Sequence, residues 1–577
     1  MDSIKSKIID ALQKATDSED IKLDIPNISG HGDYASSLAL SEAKRQKKNP
    51  LELAKEIVLK LQNDSELKKI LSKIEVAPPG FINFWVSDEA LVGTINKINY
   101  GVGVSLMKPD SGRDESRPYS KKAVVEYSSP NIAKPFGIGH FRSTIIGDAV
   151  ANLLESSGWE VYRDNHLGDW GTQFGKLIYK IKTQNSKLKT TTKNLNLSIK
   201  DLVNLYVEFH KEAQEEPGLE DKAREEFRKL ESGDPENREI WQYCVDVSLE
   251  EFNRVYDVLG IKFTENDGEG YGESYFEDKM QPVIDELQEK GLLKEGEDGA
   301  KLVFFPGGKY PPLMILKKDG ATLYSTRDLA TDRFRLGKYG KDIVIINEVG
   351  AEQSLYFQQL FEVEKMLGWI KERQRVHIKH GFFRFADRKM STRRGDVVWL
   401  EDVISQAVAK AKEFGSDEKL AQEVAVGALK WNELKRDPAG DIIFNWDEVL
   451  NMEGNSGPYM QYTYARTRSI LDKANGTAVS RVPEIKGGSI NFDEKERRLA
   501  SVLIHYSEIV KNAAINYSPH VLANYLYELA SEFNSFYNSE RIIGSEREET
   551  RLALVKAVGE VIKNGLGLLG IEVPSKM

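Results

Sequence analysis

One loop constrains the fold of this chain more than any other segment. Residues 129–140, SPNIAKPFGIGH, lie between a predicted strand at Ala123–Tyr127 and a predicted helix. Apolar residues recur at helical spacing over residues 145–154, Gly158 ends the helix, and residues 159–162 begin the next strand. This order aims the loop at a helix N-terminus, where free backbone N–H groups and a positive partial charge favour a phosphate.

Three residues of this loop suit nucleotide binding. Gly137 and Gly139 allow the backbone to come close to a ligand, and His140 can donate a hydrogen bond to a phosphate oxygen, more strongly when charged. The loop is not the dinucleotide-binding fingerprint, because Phe141 and Arg142 stand where a glycine is expected. It is not a P-loop, since no Gly-Lys-Ser/Thr ends it. Taken alone, the two glycines are equally explained by tight helix–strand packing.

A cationic segment much further along the chain is the second signal. Residues 387–396, DRKMSTRRGD, place one lysine and three arginines close to a glycine. Such a segment can stabilise the charge of a triphosphate. Taken alone, a solvated basic loop is the simpler interpretation. Together, the two segments predict a nucleotide held between a helix start and a cationic loop.

Both segments resemble signature sequences of class I aminoacyl-tRNA synthetases. Residues 137–140 resemble the His-x-Gly-His motif, and residues 389–393 resemble the Lys-Met-Ser-Lys-Ser loop. Other segments resemble arginyl-tRNA synthetases in particular, namely EYSSPNIAKP at 126–135, NHLGDWG at 165–171, YSTRD at 324–328 and GNSGPYMQY at 454–462. The resemblance extends from Gly32 to Ile571.

The resemblance implies an arginine–tRNA ligase that works in two steps. The carboxylate of L-arginine attacks the α-phosphate of ATP, which gives arginyl-adenylate and pyrophosphate. The terminal ribose hydroxyl of tRNA then attacks the adenylate and releases AMP. Neither step needs a protein nucleophile, so positioning and charge stabilisation are expected to carry the catalysis. Mg²⁺ is expected to accompany ATP, held mainly by phosphate oxygens.

The resemblance also assigns the site residues. It implies catalytic roles for His140 and Lys389. Contacts to ATP are expected from Gly137, Gly139, His140, Lys389, Met390, Ser391 and Arg393, with Met390 setting backbone against the adenine. Contacts to arginine are expected from Glu126, Ser129, Asn131, His140, Tyr324, Asp328 and Gln353.

The chemistry of arginine explains part of this set. A buried guanidinium needs a carboxylate, which it pairs with bidentately, and Asp328 is the first choice. Tyr324, four residues earlier, lies on the same helical face and can add a hydroxyl. Glu126 and Asn131 are expected near the substrate's amine and carboxylate. Without the motif context, Glu126 and Asp328 would be interpreted as structural caps.

Two departures from the family pattern stand out. Gly137 occupies a position where the family usually has histidine, which removes one phosphate contact that closer backbone approach or His166 can offset. Thr392 stands where the second signature lysine is expected, and Lys134, Arg393 or Arg394 can supply that charge. We expect less dependence on any one residue rather than loss of activity.

Composition limits the class of protein. A chain of 577 residues should form about three or four domains. No apolar run is long enough for a membrane span, and no apolar block at the N-terminus marks a signal peptide. We therefore expect neither feature. The single cysteine, Cys244, fits a reducing cytoplasm, and the histidine and cysteine spacing predicts no zinc site. A net charge of −10 argues against indiscriminate nucleic-acid binding, so we expect a local tRNA footprint and no DNA partner.

Periodicity divides the chain into regions. We predict an α+β module that contacts tRNA at residues 1–100, a linker at 101–122, a Rossmann-like catalytic domain at 123–399 and a helical region at 400–577. An insertion is expected at about 178–315 and the anticodon-binding bundle from about 450. Strands of the doubly wound parallel α/β sheet are predicted at Ala123–Tyr127, Trp159–Arg163, Asp342–Asn347 and Arg375–Phe383.

One helical segment of the bundle interleaves aromatic and cationic residues. Its predicted tRNA contacts are Tyr459, Gln461, Tyr462, Tyr464, Arg466 and Arg468. Unpaired bases stack on such aromatics while arginine binds the backbone. The alternative is a helix whose tyrosines complete the bundle core.

Other functions remain open at this stage. One is a class I synthetase or adenylate-forming ligase for a different amino acid. Another is an RNA-binding protein that has lost catalysis, which Gly137 favours. A nicotinamide dehydrogenase would share the sheet but requires the missing glycine fingerprint. We expect a monomer, and the resemblance implies that arginine activation depends on bound tRNA.

Overall fold

The structure, a computed structural model, describes residues 4–26, 29–101, 121–188, 192–296, 298–385, 398–414, 417–475, 485 and 491–577. The predicted nucleotide contacts Lys389, Met390, Ser391 and Arg393 lie outside the described residues. Nearly all of the predicted linker at 101–122 does so as well. These assignments therefore stay predictions.

The N-terminal region combines helices with a small antiparallel sheet. Its elements are α1 (Ile4–Thr16), β1 (Tyr34–Ser36), α2 (Leu38–Gln46), α3 (Pro50–Leu61), α4 (Ser65–Ile70), β2 (Leu71–Ala77), β3 (Phe81–Val86) and α5 (Asp88–Asn99). The strand order is β1-β3-β2. The side chains of Asn49 and Asp64 accept hydrogen bonds from the first-turn N–H groups of α3 and α4, which explains where these helices begin.

The middle region contains a parallel sheet interrupted by a helical insertion. Its elements are β4 (Lys121–Glu126), α6 (Ile138–Ser156), β5 (Trp159–Asp164), α7 (Thr172–Leu188), α8 (Ile199–Glu215), α9 (Leu219–Glu231), α10 (Pro235–Leu259), α11 (Gln281–Glu289), β6 (Leu293–Glu295), β7 (Lys301–Val303), β8 (Leu313–Leu316), α12 (Tyr324–Tyr339), β9 (Val344–Gly350), α13 (Ser354–Met366) and β10 (Arg375–His380). The parallel strands follow the order β10-β9-β4-β5. The predicted α/β fold class is confirmed.

The C-terminal region is mainly helical. Its elements are β11 (Phe383–Phe385), α14 (Leu400–Ala411), α15 (Glu418–Leu434), β12 (Ile442–Phe444), α16 (Trp446–Val449), α17 (Gly457–Asn475), α18 (Glu494–Leu503), α19 (Tyr506–Ile515), α20 (Pro519–Ser539) and α21 (Glu548–Leu568). Helix α6 joins this region to the sheet, because it packs on β5 and also on α15 and α19. Nearly every residue of α6 is buried, as its apolar sequence requires.

Two predicted elements are divided in the structure. The predicted strand at 375–383 ends at His380, and β11 pairs with β12 instead of continuing the sheet. The division falls at Gly381, whose backbone lies so close to Gly440 that a Cβ atom there would be 2.6 Å from it. The apolar periodicity of residues 494–514 predicts one helix, but the structure has two, α18 and α19, which meet at the buried His505.

Buried polar contacts tie the regions together. The Lys430 ammonium, on α15, donates to the backbone oxygens of Leu259 and Gly570 at 2.5 Å each. Arg497 of α18 pairs with Asp33 of the N-terminal region at 2.7 Å. Across the described ranges, no helix has both the length and the apolar character needed to cross a membrane.

Candidate active site

A cavity of about 450 Å³ opens where β4, β9 and β10 end. The carboxyl ends of parallel strands share one edge of the sheet, which is where such folds bind ligands. The predicted site residues that line the cavity are Glu126, Ser129, Asn131, Gly139, His140, Tyr324, Asp328 and Gln353. Segments far apart in the sequence thus converge on one space, and Gly137 is outside its lining.

The loop after β4 is shaped by backbone contacts with the loop after β5. Ser128 and Ser129 have positive φ angles of 70° and 43°, a conformation that side chains rarely adopt. The Ser129 N–H donates to the Asn165 side-chain oxygen at 3.1 Å. A Cβ atom at Gly168 would lie 2.6 Å from the side-chain oxygen of Asn131. The second loop therefore sets the position of Asn131 in the cavity wall.

The start of α6 determines which nitrogen of His140 can act. The Gly137 N–H donates to His140 Nδ1 at 3.3 Å, so Nε2 carries the ring proton. Burial, with Lys134 and His380 nearby, lowers the pKa of His140 to about 4. His140 is therefore a neutral hydrogen-bond donor at pH 7, without the added strength that a charge would give it.

The two glycines of the loop have different roles. Gly137 is the N-cap of α6 with φ −87°, which any residue adopts, so its backbone conformation does not require glycine. Its N–H donates to His140 in this structure, and its contact with ATP stays a prediction. Gly139 lies in the first helical turn, and a Cβ atom there would meet nothing within 4 Å. Ligand atoms can approach the helix start closely at Gly139.

Both described flanks of the cationic segment are attached to the first turns of α6. The Ile138 N–H donates to the Val398 oxygen at 3.1 Å, and the Leu400 N–H donates to the Phe136 oxygen at 3.0 Å. On the other flank, Arg142 donates to the Gly381 oxygen at 2.8 Å. Described residues before and after the cationic segment therefore lie beside the same helix start.

Carboxylates and aromatic rings form one end of the cavity. The Tyr356 hydroxyl donates to Asp328 at 2.5 Å, and the Tyr324 ring packs edge-on against Tyr356 with centroids 4.9 Å apart. Burial raises the pKa of Asp328, although His166 and the Tyr356 hydroxyl oppose the shift. Burial likewise raises the pKa of Glu273, which lines the same space. A guanidinium would reverse both shifts, because a nearby opposite charge favours the ionised carboxylate.

A buried ion-pair network forms the floor of the cavity. Arg335 pairs with Glu126 at 2.6 Å and with Asp164 at 2.7 Å, while Arg375 pairs with Asp332 at 2.8 Å. Burial alone would raise the pKa of Glu126, but Arg335, His166 and Asn347 together outweigh it and lower that pKa to about 2. Glu126 is thus a fixed anion whose position is set before any ligand binds.

The predicted tRNA contacts on α17 do not share one face. Gln461 is fully buried and donates to the Glu572 oxygen at 2.8 Å, and Tyr464 is also buried. These two predictions are corrected, since both side chains point into the bundle. Tyr462 is exposed, and the Arg466 guanidinium lies 4.9 Å from its ring centroid. Of the other predicted contacts, Tyr459 accepts a hydrogen bond from Asn534, and Arg468 pairs with Asp472.

Comparison with known proteins agrees with this geometry. The family model described as tRNA synthetases class I (R), catalytic domain, matches residues 105–446. Models of the arginyl tRNA synthetase N terminal domain and the DALR anticodon binding domain match residues 2–86 and 460–577. The chain belongs to the arginyl-tRNA synthetase family. The resemblance found in the sequence motifs is confirmed.

Full-length relatives support membership of the arginyl-tRNA synthetases. The arginine–tRNA ligase of Clostridium botulinum is 39% identical over 99% of this chain and 97% of its own length. That of Halothermothrix orenii is 37% identical over the whole of both chains. The arginyl-tRNA synthetase of Plasmodium falciparum has a similar structure, with a TM-score of 0.82 and 26% identity over both complete chains. The Thermus thermophilus structure, at 0.79 and 24%, shows the same fold.

Several cavity residues of this synthetase were missed by sequence reasoning. Tyr356 had a usable signal, because it follows Gln353 by three residues on a helix and so shares its face. Glu273 lies in the insertion and had no signal, since only the folded chain brings it to the cavity. His380 and Glu348, which also line the cavity, sit at strand ends where side-chain direction depends on register.

Proposed function

We propose that this chain is an arginine–tRNA ligase that forms arginyl-adenylate from L-arginine and ATP and transfers arginine to the terminal ribose of its tRNA. The observation that carries the proposal is the single cavity that joins Asp328 to the start of α6. One end suits a guanidinium and the other suits phosphates. The ligases named above, similar over their full length, support the same activity.

The carboxylate end of the cavity selects the side chain of arginine. Asp328 pairs with the guanidinium, and the Tyr356 hydroxyl holds the carboxylate in place. Glu273 adds a second anion, and Tyr324 covers the group from the exposed side. Lysine, a point charge without the planar fork, would satisfy these partners poorly.

The middle of the cavity holds the reacting end of arginine. Glu126, kept ionised by Arg335, pairs with the α-amine. Ser129, Asn131 and Gln353 hydrogen-bond around the amine and carboxylate. This leaves the carboxylate oxygen directed towards the α6 start, in position to attack a phosphate there.

The α6 start and the cationic segment hold ATP. The N–H groups near Gly139 and the Nε2–H of His140 bind phosphate oxygens as negative charge develops on them. Lys389, Ser391 and Arg393 add positive charge from the segment whose flanks pair with α6, and Met390 lies against adenine. As the arginine carboxylate bonds to the α-phosphate, the bond to the pyrophosphate group breaks. A ribose hydroxyl of tRNA then displaces AMP from the adenylate.

Mg²⁺ enters with ATP. Among the described residues, no group of three or more His, Cys, Asp or Glu side chains is arranged to hold a metal ion. Phosphate oxygens would therefore supply most of its ligands, which suits a small, strongly hydrated cation.

The remaining proposals concern partners. The exposed Tyr462 and the half-buried Arg466 beside it bind unpaired tRNA bases and backbone, within the region that matches the anticodon-binding domain. The enzyme acts as a monomer in the cytoplasm and does not use DNA. The single cysteine, which is buried, fits that compartment.

The deciding experiment is arginine-dependent exchange of pyrophosphate into ATP, with and without cognate tRNA. We expect exchange with arginine and not with lysine, and only when tRNA is present. Exchange driven by another amino acid would identify a different synthetase. Retained tRNA binding without exchange under any condition would favour the RNA-binding alternative.

A further inference from the structure

A second histidine faces the phosphate end of the cavity from the sheet. His380 is the last residue of β10, and it lines the cavity together with Gly139, His140 and Ser143. Its charge and that of His140 act on each other, because His380 contributes to the low pKa of His140. Two imidazoles therefore approach the same space, one from α6 and one from β10.

A buried carboxylate fixes the orientation of this imidazole. His380 Nδ1 lies 2.8 Å from Glu348 Oε1 on the neighbouring strand, and the Glu348 side chain is fully buried. A histidine whose Nδ1–H is donated to a carboxylate has its ring held in place and presents Nε2 to a ligand.

The surrounding charges favour a cationic ring. Burial lowers the pKa of His380, but Glu348 outweighs it, so that the pKa is raised overall. The other charged groups that act on it are Arg142 of α6 and Glu433 of α15, which pair with each other at 2.8 Å. His380 therefore binds a proton more readily than His140, whose pKa is lowered.

We propose that His380 donates a hydrogen bond from Nε2 to a phosphate oxygen of ATP, and thereby supplies from β10 the imidazole that the loop lacks at Gly137. The proposal rests on the proposed function, since it concerns the same adenylate-forming step. No bond to His380 forms or breaks. The ring stabilises charge that moves onto the departing pyrophosphate.

The test compares His380→Phe with the wild-type enzyme in pyrophosphate exchange with arginine and tRNA. We expect kcat to fall by about 10- to 100-fold, the loss of one charge-assisted hydrogen bond. The KM for arginine and the affinity for adenosine, which has no phosphate, should stay within about twofold. Glu348→Gln, which keeps the Nδ1 partner but removes its charge, should give a smaller loss.

The result separates three cases. A kcat within about threefold of wild type overturns the proposal. So does a loss of adenosine and arginine affinity that parallels the loss of kcat, because the residue would then be structural. Absence of exchange in the wild-type enzyme is a failure of the proposed function instead.

A second variant tests whether Gly137→His can compensate for the loss of His380. Gly137→His in the His380→Phe background should recover kcat by at least about fivefold, since its φ of −87° accepts a side chain. Failure to recover any activity, in a protein that unfolds at the wild-type temperature, would overturn the equivalence of the two positions.

Discussion

The catalytic cavity and helix α17 use charged and aromatic residues in opposite ways. The cavity draws Glu126, His140 and Asp328 from distant segments to one space, because parallel strands end at a common edge. Helix α17 carries its candidates in one short segment, and the helical period spreads them around the axis. The cavity residues, which are far apart in the sequence, therefore come together in the fold. The α17 residues, which are close in the sequence, point in different directions.

The two regions also differ in how they treat charge. In the cavity floor, Arg335 and Arg375 are almost fully buried among carboxylates. On α17, Arg466 lies over the partly exposed Tyr462, and Arg468 and Asp472 are 3.6 Å apart and exposed to solvent. Exposed pairs contribute little, whereas loss of one buried partner is costly. Substitutions should thus have large effects in the cavity and small effects on α17.

The largest effect is expected from Asp328→Asn. A guanidinium left without its buried carboxylate should reduce kcat/KM for arginine in exchange by about 10³-fold or more. The free energy of unfolding should stay the same or increase, because burial already raises the pKa of this carboxyl. The control is Asp342→Asn, at a side chain that is 88% exposed. If Asp328→Asn lowered kcat/KM for arginine only slightly, the guanidinium would bind away from Asp328.

Arg335→Met should show how far the cavity depends on its floor. Removing this cation leaves Glu126 and Asp164 buried without their partner, which should lower the free energy of unfolding by about 3–5 kcal/mol. Urea denaturation measures the change. Arg333→Met, on the same helix with a half-exposed side chain, is the matched control and should lie within about 0.5 kcal/mol of wild type. Equal losses of unfolding free energy in Arg335→Met and Arg333→Met would show that the buried ion pairs stabilise the fold no more than an exposed one.

His505 tests whether burial matters equally in the bundle. It packs edge-on against Tyr34 with centroids 4.9 Å apart, and burial lowers its pKa to about 4. The neutral form is favoured in the folded state, so this stability is present above pH 6.5 and is lost as the pH falls towards 4. His505→Gln should remove about 2 kcal/mol of the decrease in unfolding free energy between pH 7 and 5. The exposed His31→Gln is the control, and an unchanged pH slope would refute the assignment.

The smallest effect is expected on α17. Arg466→Ala should raise the KM for tRNA by about threefold to tenfold and leave the KM for arginine unchanged, because a single stacked cation contributes about 1 kcal/mol. Gln461→Ala should do the reverse, lowering thermal stability while tRNA binding is kept, since its amide is buried. If Gln461→Ala weakened tRNA binding more than Arg466→Ala, the assignment of faces would be wrong.

Residue patterns predicted the sheet well because β4 and β9 contain short apolar runs, and β5 and β10 each follow a helix and a glycine turn signal. They also predicted Tyr324 and Asp328, whose spacing of four residues places them on one face of α12. Which face of α17 packs against the bundle could not be derived from the sequence, so Gln461 and Tyr464 were wrongly predicted to face tRNA.

Other parts of the site depend on long-range folding. Glu273 reaches the cavity only through the path of the insertion, and the charge state of His140 follows from burial and a backbone N–H. No local pattern encodes these features. The cationic residues from Lys389 to Arg393 lie outside the described residues and stay predictions from their motif.

The contact between Lys430 and Gly570 has a consequence for biosynthesis. Gly570 leaves the ribosome 140 residues after Lys430, yet its backbone oxygen completes the hydrogen bonds of that buried ammonium. Before Gly570 is synthesised, the Lys430 ammonium lacks one of its two hydrogen-bond acceptors. Burying it without that acceptor is unfavourable. The packing of α15 around Lys430 should therefore be complete only after synthesis passes Gly570.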